Sequence, residues 1–200
     1  MEGVSDCSAL SPRAARTLDD LRDAARTLAC TQPLDQISVD DIARQARVSR
    51  RTFFNYFQTK NEAFLPNIDN PPEVLARVAA GEPPQLADAL GEVVGARAAQ
   101  IIELRERYPG YFEAMVSNSD MLPLLREERM DRDADVRRAF ARRLGADEDD
   151  ALIHLIATLS FAVERVAFLE WKKDPEGDDL GTITARITRE LAHALGCPRD

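Results

Sequence analysis

Histidine and cysteine are scarce: two of the first and three of the second in 200 residues. The cysteines, Cys7, Cys30 and Cys197, are scattered and odd in number, so they form neither a disulfide framework nor a metal-ligand pair, and they fit a reduced compartment. Cys7 and Cys30 could be imagined as a redox pair, but a free cysteine is more often inert. The histidines, His154 and His193, stand alone, and His154, in an apolar helix, reads as a satisfied core or pocket residue. No G-x-S-x-G and no glycine loop able to cradle phosphate is present. These absences predict no catalytic constellation, no metal site and no cofactor; the chain is not expected to be an enzyme. Asp147 to Asp150 reads as a helix-capping acidic run rather than a metal cluster. Long apolar runs are missing as well. The richest, Ala151 to Leu169, is interrupted by His154, Glu164 and Arg165, and no run approaches the roughly 20 residues of a membrane helix. The start, MEGVSDCSALSPRAAR, has no basic stretch followed by an apolar block, so no secretory signal is expected. A cytoplasmic protein without membrane contact is the expectation.

What is present is helical period. With 44% hydrophobic residues the composition is that of an ordinary globular protein, and no stretch alternates as a strand would. Ser11-Pro12 opens a helix with a cap and a first-turn proline. In it Leu18, Leu21, Ala25 and Leu28 form one apolar stripe that ends before Pro33. Two short helices follow, Val39 to Ala46 and Arg50 to Phe57, then a brief one from Asn61 to Leu65. PNIDNPPE, starting at Pro66, is the clearest linker. Beyond it the spacing predicts helices over Glu73–Ala80, Gln85–Tyr108 and Tyr111–Val116. A long charged helix opens at Pro123 and closes at Leu144-Gly145. Two more run from Ala151 to Trp171 and from Leu180 to Leu195, separated by Asp174-Pro175-Glu176-Gly177. The fold class expected is all-α, with an N-terminal domain over 1–65 and a C-terminal helical domain over 66–200.

A net charge of −9 looks wrong for a protein that meets nucleic acid until it is divided along the chain. Residues 1–60 hold nine Lys/Arg against eight Asp/Glu; the other 140 residues hold 17 against 27. Ile42 to Lys60 contains Arg44, Arg47, Arg50, Arg51 and Lys60 and no acid, the local footprint expected where phosphates are met. Charge alone also fits an ordinary solvated face. The helix pattern adds to it. Ser38 and Asp41 have the spacing of a capping box. Ala43 and Ala46 are small enough for a second helix to cross closely, and Ser49 caps that helix. Phe53 and Phe57, four apart, take one face, while Arg50, Arg51, Thr52, Asn55 and Tyr56 point elsewhere. Two short helices with polar side chains at the start of the second make a helix-turn-helix suited to a major groove.

The segment VDDIARQARVSRRTFFNYFQTKNEAF resembles the DNA-binding signature of the TetR family, T-V-x-D-I-A-x-x-A-G-V-S-x-G-T-x-Y-x-Y-F-x-S-K. The likeness spans about 50 residues from Thr17 to Leu65, and its T-F-F-N-Y-F-x-T-K tail is what makes it specific. It implies a three-helix DNA-binding head. Ser38 then caps the second helix against a phosphate, and Ser49, Arg50, Thr52, Asn55 and Tyr56 meet phosphates or base edges. Lys60 lies beside the DNA backbone. By chemistry Arg50 and Arg51 suit guanine or phosphate and Asn55 suits adenine, while Thr52 and Tyr56 position phosphate. Four departures stand out. Arg47 replaces a turn glycine, which is tolerated or slightly strained. Arg51 adds a cation where glycine is frequent. Phe54 lacks a tyrosine hydroxyl and is expected to contribute packing or apolar contact. Pro33 stands where a glycine often ends the first helix.

Ala151 to Trp171 is apolar on more than one face. Leu152, Leu155, Ile156, Leu159, Val163 and Val166 form one stripe, and Ile153, Ala157, Phe161, Phe168 and Trp171 form another. Such a helix must bury against its own domain and something more. The resemblance implies a homodimer through the last two helices, Ala151 to Trp171 and Leu180 to Leu195, which fits two-fold binding to a pseudo-palindromic, double-stranded operator. It further implies a small-molecule effector held among the middle helices. Arg105, Tyr108, Phe112, Met115 and Phe140 are the candidates, with Glu164 or Arg165 as a polar anchor. Each is also readable as plain core or surface. A ligand-responsive repressor is therefore expected; a DNA-binding regulator without an effector, constitutive or gated by a protein partner, is the alternative. The Pro66–Pro72 linker departs from relatives with a longer fourth helix and puts the usual coupling of pocket to head in doubt.

Overall fold

The computed structural model describes residues 11–174 and 177–194, the side chain of Val116 excepted. Cys7, Leu195 and Cys197, and the Pro175-Glu176 part of the expected break, lie outside the described residues. Those described contain nine α-helices, two short 3₁₀ turns and no strand. The helices are α1 (Pro12–Ala29), α2 (Val39–Gln45), α3 (Arg50–Phe54), α4 (Pro72–Ala79), α5 (Leu86–Arg107), α6 (Tyr111–Ser117), α7 (Met121–Leu144), α8 (Ala151–Trp171) and α9 (Leu180–Ala194). The 3₁₀ turns span Leu34–Gln36 and Asn61–Phe64.

Most boundaries follow from local chemistry. Ser11 caps α1, its Oγ accepting the Ala14 N–H, with Pro12 at the first helical position. Asp150 caps α8, accepting from Leu152 N at 2.8 Å. Gly145, at φ +62°, closes α7. Two expectations are corrected. Helix α7 begins at Met121 rather than at Pro123, because a proline inside the first turn forfeits only an N–H that has no helical partner anyway. Helix α3 stops at Phe54, not Phe57, although the Phe57 N–H still reaches the Phe53 carbonyl at 3.1 Å.

The described chain divides into two compact units, 11–66 with 105–126, and 67–104 with 127–194. The division expected at 65/66 differs in one respect: 105–126 pack with the N-terminal unit. Three hydrogen bonds fix the place where the segments meet. The Tyr111 hydroxyl donates to the Phe64 carbonyl at 2.5 Å. Buried Arg26 donates through Nη2 to the Leu65 and Pro66 carbonyls at 3.3 and 2.9 Å. The last residues of the N-terminal segment are thus held by α1 from one side and α6 from the other.

In the second unit, Val78, Val93, Val94, Val136, Phe140, Ile153 and Ala157 sit at zero exposure in one apolar core. Helix α8 packs along α9 there. By length and composition α8 could cross a membrane, with a mean hydropathy of 1.7 over its most apolar window, contrary to the expectation that no run would reach that mark. Of that window 39% is buried within the chain, which is what a helix with one face in a core does.

Candidate nucleic-acid interface

The first unit builds its surface around two phenylalanines. Phe53 (0% exposed) and Phe57 (5%) stack at 5.2 Å, anchoring α3 from below. Ile42 and Ala43 of α2 are buried beside α1 and α3. The capping box at Ser38 is complete: Asp41 N donates to Ser38 Oγ, and both the Ser38 N–H and its hydroxyl donate to Asp41 Oδ2. Those bonds hold the Asp41 carboxyl below the usual range, side-chain bonding to Ser38 first. Ser49 caps α3 in the same way, accepting from Thr52 N at 3.0 Å and sharing a hydrogen bond with the Thr52 hydroxyl at 2.8 Å.

With one face of α3 fixed inward, the rest points out. Ser49, Arg50, Arg51, Phe54 and Asn55 are exposed, and Thr52 and Tyr56 are half-buried. The Arg50 guanidinium lies 5.5 Å from the Phe54 ring and 2.8 Å from Asp40 Oδ2. Phe54, 47% exposed, makes an edge contact with Phe53; it offers an apolar surface outward rather than filling the core. A hollow of about 430 Å³ opens beside the helix, lined by Arg13, Thr17, Arg47, Thr52 and Tyr56 among others. Arg13, Thr17 and Arg47 are additions to the expected set. A polar and basic first two turns of α1 was the available signal, since Ser11, Arg13, Arg16 and Thr17 precede the apolar stripe.

The structure redistributes the positive segment. Arg44 pairs with Asp41 at 3.0 Å and Arg50 with Asp40, two acids lying just before the segment. Lys60 is spent differently: its ammonium donates to the carbonyls of Leu34, Asp35 and Ile37 at 2.8, 3.3 and 2.9 Å. Three donors meet three carbonyls, so Lys60 ties down the turn before α2. Arg47 and Arg51 have no ion pair among the described residues, and both are exposed.

A cap-stabilised pair of short helices with its polar residues turned outward is the arrangement that a helix-turn-helix presents to a major groove. Residues 21–65 match bacterial regulatory proteins of the tetR family. Residues 86–196, more than half the chain, match the MftR C-terminal domain. The chain belongs to the TetR family. Among solved structures, two of NalD, described as the secondary repressor of the MexAB-OprM multidrug efflux pump in Pseudomonas aeruginosa, share the fold. They are 21% and 20% identical, at TM-scores of 0.61 and 0.62, and cover 90% and 92% of this chain and 96% and 97% of their own. A structure from Mesorhizobium loti, described as a TetR-family regulator, is 15% identical with a TM-score of 0.55 and covers 92% of this chain and 98% of its own. A comparison with curated proteins finds no match. This TetR-family chain is a DNA-binding transcriptional regulator, and the proteins it resembles are regulators rather than enzymes.

The five residues expected to flank an effector cavity are not gathered in one unit. Arg105, Tyr108, Phe112 and Met115 belong to the first, Phe140 to the second. Arg105 pairs with Glu113 at 2.8 Å, and Phe112 meets Tyr111 edge-on with ring centres 5.1 Å apart. Tyr108 is 5% exposed and lies beneath the guanidinium groups of Arg26 and Arg107. Burial, then a hydrogen bond to Asp23, pushes its phenol up to about 12. Met115 is 3% exposed, and Phe140 is solid core. A second open hollow, about 420 Å³, is also on the first unit, between α1 and the end of α2.

Proposed function

We propose that this regulator is a ligand-responsive repressor that binds a pseudo-palindromic operator as a homodimer. In each head Ser38, Ser49, Arg50, Arg51, Thr52, Asn55 and Tyr56 would meet the DNA, joined by Arg47. The observation that carries the reading is α3 itself. Five residues long, it is pinned by Phe53 and turns Arg50, Arg51 and Phe54 outward. Asn55 and the two arginines are the types that read adenine and guanine edges, and an exposed Phe54 ring suits a thymine methyl. Asp40 must release Arg50, which an exposed ion pair does at a cost of about 1 kcal/mol or less. Such a protein works in the cytoplasm, where its DNA is.

Dimerisation would use α8 and α9. Leu152, Leu155, Val166 and Leu169 of α8 are 45–53% exposed. With Leu159 and Ala162 they recur at alternating three- and four-residue steps, the seam of two packed helices.

The alternative, a regulator without a small-molecule effector, has one observation in its favour. Phe140, expected to flank an effector cavity, is fully buried in the apolar core of the second unit. Selection of bound sequences from a random DNA pool by the full chain tests the main reading. An inverted repeat with half-sites about one helical turn or more apart is expected. A single asymmetric site, or no enrichment, overturns it.

A further inference from the structure

Arg97, in the middle of α5, is fully buried. Its Nη1 donates to Asn70 Oδ1 at 3.1 Å, and the Asn70 amide is itself oriented by donating to the Arg132 carbonyl at 2.9 Å. The other edge of the guanidinium is incomplete. Glu164 Oε2 of α8 comes within 2.7 Å of Nε, an ion pair by distance, but the N–H does not aim at that oxygen. Nε, Nη2 and Glu164 Oε2 all lack a hydrogen bond although buried. Nε and Nη2 form the edge that receives a carboxylate through two parallel N–H···O bonds. The resident carboxylate occupies the place without making them.

Two further arginines surround the same spot. The guanidinium carbons of Arg129, Arg97 and Arg132 lie 4.5, 4.8 and 5.8 Å from the centre of the Phe161 ring. Arg129 is exposed, Arg132 half-buried and Arg97 sealed, so positive charge around the Phe161 ring is graded from solvent inward. Burial disfavours the charged form of Arg97, the nearby Glu164 carboxylate acts against that, and Arg132 and Arg129 add a smaller repulsion.

We propose that Arg97 is the anchor for a carboxylate effector, an organic acid that takes the place of Glu164 on the open Nε–Nη2 edge beside Phe161. The exchange is carboxylate for carboxylate, so the buried charge stays balanced. The Glu164 side chain, already 18% exposed, moves to water, and the acid supplies the two aligned hydrogen bonds that Glu164 does not make. The tie between α5 and α8 is broken in the process. This deepens the effector reading above and rests on it.

The test uses the full-length dimer with 4-phenylbutanoate and octanoate, each against the primary amide of the same skeleton, by calorimetry and by release of the selected DNA. The acids are expected to bind at least about tenfold more tightly than the amides, because a site built for a charged acceptor rejects a neutral isostere. Glu164→Gln removes the competing charge and should tighten acid binding several-fold while leaving the amides unchanged. Arg97→Met combined with Glu164→Leu removes the pair as a unit, leaves no orphaned charge, and should abolish the preference in a protein whose helical circular dichroism is intact. Equal binding of acids and amides overturns the proposal. So does preference surviving in the double variant, or no acid bound by Glu164→Gln at millimolar concentration. Acids that bind through Arg97 without releasing DNA uphold the site and sink the effector reading. Release by the amides alone does the reverse.

Discussion

Helices α2, α4 and α7 end in the same turn. In each, the residue after the cap donates back three positions and the next donates back five: Arg47 to Arg44 and Val48 to Ala43, Gly81 to Val78 and Glu82 to Arg77, Gly145 to Arg142 and Ala146 to Ala141. The turn requires a left-handed residue, and glycine supplies it at φ +92° and +62° in α4 and α7. In α2 that residue is Arg47 at φ +57°, where a Cβ costs about 1–2 kcal/mol. The strained position is the one facing the hollow shared with Thr52 and Tyr56. Arg47→Gly is therefore expected to stabilise the chain by about 0.5–1 kcal/mol, the relief being partly offset by glycine's extra unfolded freedom, and to raise Tm by roughly 2 °C. The same change should weaken DNA binding. A fall in Tm would refute the strain, and unchanged affinity would refute the contact. Lys60 gives the opposite case. Because its ammonium bridges three carbonyls, Lys60→Met should destabilise the head by about 2 kcal/mol, the net loss of its charged hydrogen bonds, each about 1.5 kcal/mol, being partly offset as water reaches the freed carbonyls. A variant as stable as the parent but deficient in DNA binding would restore Lys60 to the phosphate.

At the level of elements, sequence period located each of the nine α-helices among the described residues, missed the 3₁₀ turn at Leu34–Gln36, and misjudged what some helix faces meet. One stripe of α8 was grouped as Leu152, Leu155, Ile156, Leu159, Val163 and Val166. The structure splits it: Ile156 and Val163 are buried in the core, while Leu152, Leu155 and Val166 stay exposed. A helix apolar over most of its circumference carries no mark of which side its own chain will cover, so period alone could not make that separation. The head was legible for a different reason. Caps at Ser38 and Ser49 and the Phe53–Phe57 spacing are local rules, and all are realised within a few residues of where they are written. Lys60 and Arg97 were opaque because their partners lie 23 to 67 positions away, beyond any local pattern. For α8 the exposed seam leads to a direct test. Leu155→Glu together with Leu169→Glu places two carboxylates per chain on the exposed face without touching the buried one. Light scattering should then report a monomer where the parent is a dimer, with helical content retained. A dimer that survives both changes would move the interface off this seam.

Over the whole molecule the charge is divided: residues 1–60 are nearly balanced, and the remainder carries the excess of acid. An acidic protein that binds DNA must do so through a few well-placed cations, and the structure reduces their number. Of the five in the basic segment, Lys60 is bonded to carbonyls and Arg44 is paired with Asp41 three residues earlier on its own helix, which leaves Arg47, Arg51 and Arg50, whose partner Asp40 belongs to a different helix. With all three set against phosphate, the other role that suits Arg50 and Arg51, a dimer makes six such contacts. The logarithm of affinity should then fall with the logarithm of salt at a slope of about −5, roughly a thousandfold loss between 50 and 200 mM. Arg51→Ala removes one cation from each head and should reduce the slope by about two, since each phosphate-bound cation contributes about one. Arg44→Ala, removing a paired arginine, should leave the slope unchanged. If Arg44→Ala and Arg51→Ala lowered it equally, the basic segment would be acting as undivided charge, and the distinction between paired and free arginines would fail.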